Sequence, residues 1–132
     1  MAPSTLSPAA RLASIACNAL VLFAAALHIV EVFASPWAAI GVLYLASAAL
    51  GLDALLVGVR KLRDEGPSIR NLTPGGWAMF AALFFIVAVP AYYAGARRRA
   101  RRGYDAPVER PGALGYVAIG ALVLGGLALL RA

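Results

Sequence analysis

The chain has 132 residues, of which 62% are hydrophobic, with a mean hydropathy of +0.81. A single domain of that size has no interior large enough to hide so much apolar surface from water, which argues against a soluble fold. The net charge of +6 could suggest nucleic acid. However, the cations cluster at the ends of apolar stretches, where they meet lipid phosphates or fix topology, so no nucleic-acid partner is expected.

Residues 1–10 are small, proline-containing and uncharged, and predict a disordered leader. The first apolar stretch, 12–34, is longer than a signal-peptide core and follows only Arg11, which predicts an uncleaved helix. Ser35-Pro36-Trp37 predicts a turn, because proline disfavours helix in the residue before it and can itself begin the next one. A second helix is expected over 37–59. The charged segment 60–73 ends in Thr73-Pro74, a capping hydroxyl followed by proline at the first helical position, and so opens a third helix over 75–96. A basic loop, 97–111, leads to a fourth helix over 112–130. Small residues on one helix stripe (Ala113, Ala121 and Gly125 at multiples of four, and similarly Ser47, Gly51, Ala54 and Gly58) let helices approach closely in lipid. The expected fold class is all-α, a four-transmembrane-helix bundle of up-down topology forming one integral membrane domain.

That topology places Arg97, Arg98, Arg99, Arg101, Arg102 and Arg110 on one side, and Arg11, Arg60, Lys61, Arg63, Arg70 and Arg131 on the other. The split is even, so the excess of lysine and arginine that marks cytoplasmic loops does not set the orientation. Carrying the arginine cluster across would be the hardest step, which favours a cytoplasmic 97–111 loop; a dual-topology dimer is the alternative.

Ionisable groups inside lipid are costly, so they are the candidate site. In a hairpin turning at Ser35-Pro36, residues whose numbers sum to ~71 share a depth at ~1.5 Å rise per residue. This pairs Asn18 with Asp53 and His28 with Tyr44. Extending the count gives a polar layer of His28, Glu31, Tyr44, Tyr92 or Tyr93, and Tyr116, with Arg97 near Glu31. Two interpretations remain open. These groups hold helices together, with Arg97, Arg98, Arg99, Arg101 and Arg102 serving headgroups or topology, or Glu31, His28 and Asp53 handle protons or cations. His28 and Glu31 lack a third ligand at their depth, and the lone Cys17 permits no disulfide within the chain, so no metal or other cofactor is expected. No catalytic motif is present.

The runs DALLVGVRK (53–61), TPGGW (73–77) and VPAYYAGAR (89–97) resemble a two-helix hairpin of small bacterial integral membrane proteins to which no activity attaches. The resemblance implies a hairpin in a bacterial inner membrane and no chemistry. The expectation is a non-enzymatic subunit or scaffold in the bilayer, forming homo-oligomers or joining partner membrane subunits; the alternative is a proton-coupled transporter or channel component. A quinone-binding anchor near His28 and Tyr44 ranks third.

Overall fold

A computed structural model describes residues 6–30, 35–66 and 68–131. Glu31 lies outside them. Among the described residues the fold is all-helical: α1 (Pro8–Val30), α2 (Pro36–Val57), α3 (Pro74–Leu83), α4 (Phe85–Ala91), a π-helical turn (Tyr92–Ala96), α5 (Arg97–Arg102) and α6 (Ala113–Leu130). Three of these, α1, α2 and α6, are long and apolar enough to cross a membrane.

Local chemistry explains the boundaries. The Ser7 hydroxyl accepts from the Ala10 N–H at 3.1 Å, so α1 begins inside the segment expected to be a disordered leader. Ser35 caps α2 by accepting from the Ala38 N–H, and Thr73 caps α3 by accepting from the Gly76 N–H; each is followed by proline. Gly58 ends α2 with φ of 85°, a left-handed conformation that costs glycine nothing.

The expected third span over 75–96 does not form. At Phe84 the backbone leaves the helical region (φ −138°, ψ 58°) and the chain folds back. Trp77 and Tyr92 would lie ~22 Å apart along one straight helix, yet their rings meet edge-on at 5.5 Å. The tip of this helical hairpin touches the last turn of α1, where the Phe85 ring lies 6.5 Å from that of His28. Its returning arm delivers Arg97–Arg102 to the end where it started: the Tyr104 hydroxyl accepts from the Arg60 N–H at 2.9 Å, and Leu62 forms an isolated antiparallel bridge with Val108. The four-span up-down bundle is therefore not confirmed: the described residues hold three helices long and apolar enough to span and one folded-back helical hairpin.

Helix α2 is the centre. It packs against α1, α3 and α6, and its Ser47-Gly51-Ala54 stripe is buried inside the molecule. Carbon-sized gaps make these approaches possible: a Cβ on Gly51 would come within 2.7 Å of Ala78 Cβ, and one on Gly75 would overlap Gly115 Cα. Burying small faces this way replaces the hydrophobic drive that lipid removes. On α6, by contrast, Ala113 and Ala121 face outward and Gly125 meets the Tyr44 ring.

Refolding the third segment also redistributes charge. Of the twelve lysines and arginines, all but Arg131 now lie at the end formed by the start of α1, the 58–73 segment and 97–112. The loops there are pinned by Asn71, which is 2% exposed. Its amide accepts from the Leu62 N–H at 2.7 Å and donates to the carbonyls of Leu62 and Gly66 at 2.9 and 3.0 Å.

Candidate functional site

Asp53 is fully buried in the last turns of α2, toward the arginine-rich end. A carboxylate has about four lone-pair positions, and all four are used here. Oδ1 accepts from the Ser14 hydroxyl and from Asn18 Nδ2 at 3.3 Å, both on α1. Oδ2 accepts from the Tyr92 hydroxyl and from Arg97 Nε at 2.9 Å, both on the returning arm. Tyr93 donates to Asn18 Oδ1, and Arg97 Nη2 donates to Ser14 Oγ at 3.3 Å, which closes a ring of hydrogen bonds linking α1, α2 and the hairpin.

Two local features make this possible. Ser14 and Asn18 are four apart and so share one face of α1. The second feature is the π-helical turn. Residues five apart on an α-helix are rotated by ~140° and face different ways at ~100° per residue. Here the Arg97 N–H bonds to the Tyr92 carbonyl instead, closing a wider turn that stacks Arg97 over Tyr92 and aims both at Oδ2. The same widening leaves adjacent Tyr92 and Tyr93 both pointing at α1 and α2. Pro90, exposed and just ahead of the turn, lacks the N–H that a regular α ladder would use there.

The expected pairing of Asn18 with Asp53 is present. Ser14 and the roles of Tyr93 and Arg97 were missed, although the spacing of Ser14 from Asn18 offered a signal. The second expected layer does not assemble. Tyr92 belongs to the Asp53 cluster, and Arg97 pairs with Asp53, because the hairpin reverses the depth count at Phe84. Tyr44 packs beside Gly125 and the α6 core, Tyr116 is exposed at the opposite end of α6, and His28 faces the hairpin tip. Glu31 lies outside the described residues.

The remaining arginines divide by partner. Arg99 pairs with Glu65 at 2.7 Å, and its hydrogen bond, opposed by desolvation and aided by its charge, holds the exposed Glu65 carboxyl below the ordinary range. Arg98 and Arg102 line an open solvent-facing cleft with Asp105, while Arg101 faces a different cavity beside Arg11 and Ser14. Among the described residues, no group of three His, Cys, Asp or Glu side chains is placed to hold a metal ion. Comparison with protein-family models, curated proteins and solved structures returned no match.

Proposed function

We propose that this chain is a small non-enzymatic integral membrane protein, a subunit or scaffold in a bacterial inner membrane, with three spans and a re-entrant hairpin in place of a fourth. The start of α1 and the arginine-dense end lie in the cytoplasm and the end of α6 on the other side; the one-sided distribution of lysine and arginine supports this orientation.

The observation that carries the structural role is the saturation of Asp53. A proton carrier must expose its carboxylate to alternating partners, whereas Asp53 is buried under four donors drawn from two other elements. Such a group fastens helices together. The surface left for partners is the outward side of α1 and α6, where Leu12, Leu22, Phe23, Val117, Ala121 and Leu124 are exposed.

The test combines reconstitution with assembly. In liposomes loaded with a pH dye, the protein should add no proton flux over empty vesicles, and in native membranes chemical cross-linking should trap it in species heavier than its 13.7 kDa monomer. Ala121→Trp on the outward α6 face should weaken those species while leaving the monomer folded. Monomer alone, together with a proton flux abolished by Asp53→Asn, would overturn the proposal.

A further inference from the structure

A cavity of about 450 Å³ opens at the arginine-rich end, between the first turns of α1, the end of α2 and α5. Arg11, Arg97 and Arg101 line it together with Ser14, while Ile15 and Val57 supply an apolar wall. The side chain of Ile15 is 59% exposed, so this wall continues onto the outer surface of α1.

The electrostatics are one-sided. Arg97 is matched by Asp53 behind it. The other ion pair among the described residues, Arg99–Glu65, involves neither Arg11 nor Arg101. Three guanidinium groups against one carboxylate leave two uncompensated positive charges around one space. Arginine's planar fork matches the oxygens of a phosphate, and a phosphate monoester carries roughly −1.5 to −2 charges at neutral pH. The cavity also exceeds what a phosphate alone fills, and its unfilled part is the apolar wall.

We infer that this cavity binds a phosphate group with two ionisable oxygens, either the monoester of a lipid headgroup or a free phosphate ion, through Arg11 and Arg101, with Arg97 as a third donor held in place by Asp53. The site rests on the placement of the arginine end at the bilayer surface, but it needs neither the oligomer nor the cytoplasmic orientation. Failure of those proposals therefore leaves it standing, and its own failure leaves them untouched.

The test uses the full chain in neutral detergent and measures binding of short-chain phosphatidic acid, with short-chain phosphatidylcholine as the diester control and inorganic phosphate as competitor. Phosphatidic acid should bind and phosphatidylcholine should not. Arg11→Gln combined with Arg101→Gln should weaken binding by about tenfold or more, the loss expected from two charge-assisted contacts. Arg98→Gln combined with Arg102→Gln removes the same charge from the neighbouring cleft, and should change binding by less than about threefold, as screened surface charge does. Arg11 is exposed, so Arg11→Gln alone does not threaten the fold; a loss of about threefold is expected from it, and an unchanged affinity overturns the proposal. Competition by inorganic phosphate at equal concentration identifies the free ion as sufficient, and its absence identifies the lipid; both uphold the site. Equal losses in the two double variants, or equal binding of both lipids, overturn it.

Discussion

Replacing Arg97 by methionine keeps an unbranched side chain as far as the position of Nε and removes the guanidinium charge, leaving Asp53 buried with three neutral donors. At 2.9 Å the Coulomb attraction between the pair is about 6 kcal/mol for an effective dielectric of 20. Desolvation offsets much of that gain, because Asp53 is fully buried and the Arg97 side chain only 19% exposed. The observable is the penalty for stranding the carboxylate, about 3–5 kcal/mol. Adding Asp53→Asn removes the stranded charge while keeping an acceptor for Ser14 and Asn18, so the double variant should recover about 2 kcal/mol or more relative to the sum of the two single changes. Unfolding by SDS in neutral detergent micelles can be followed by tryptophan fluorescence, since Trp77 is buried against Tyr92 in the arm that carries Arg97. A loss below about 1 kcal/mol for Arg97→Met, the range of an exposed pair, would refute the argument. So would additive effects in the double variant.

Other consequences follow from the packing. Gly75→Val drives a side chain into the Gly115 backbone, and should cost about 1–3 kcal/mol in the same unfolding assay or separate α3 from α6. Asn71→Ala strands the Leu62 N–H and carbonyl, and should cost about 1–3 kcal/mol while raising protease cleavage between Arg60 and Arg70. The Glu65 carboxyl is held below its ordinary value in the folded state, so the stability it adds is present above its unfolded pKa and disappears as pH falls through the folded one. Melting curves of the wild type and Glu65→Gln should accordingly differ at pH 7 and converge in acid.

How much of this was legible in the sequence depended on the regularity of the chain. The pairing of Asn18 with Asp53 was readable because α1 and α2 are unbroken helices that follow each other closely in the chain, so depth follows residue number. The capped starts at Ser35-Pro36 and Thr73-Pro74 were readable for an equally local reason: the hydroxyl and the proline act within one turn. The hairpin was not readable. Residues 75–96 have the length and apolarity of a span, and the reversal falls at Phe84, where neither glycine nor proline marks it. Pro90 is the one proline within the segment, yet the residues that use the disturbance are Tyr92, Tyr93 and Arg97, beyond it. The even division of lysine and arginine followed from reading that segment as one straight helix, which carries Arg97–Arg102 and Arg110 to the end opposite Arg60, Lys61 and Arg63. Once the segment folds back, those charges rejoin Arg60, Lys61 and Arg63.

Cysteine accessibility tests the folded-back hairpin most directly, because Cys17 is the lone native cysteine and Cys17→Ser gives a clean background. Single cysteines at Asp64 and Asp105 flank the hairpin, and a third at Ala128 marks the far end of α6. In sealed vesicles, a membrane-impermeant maleimide should label Asp64→Cys and Asp105→Cys from the same side and Ala128→Cys from the other. Labelling of Asp64→Cys and Asp105→Cys from opposite sides would mean that the 74–102 segment crosses the bilayer, and would contradict the arrangement that brings Arg97 to Asp53.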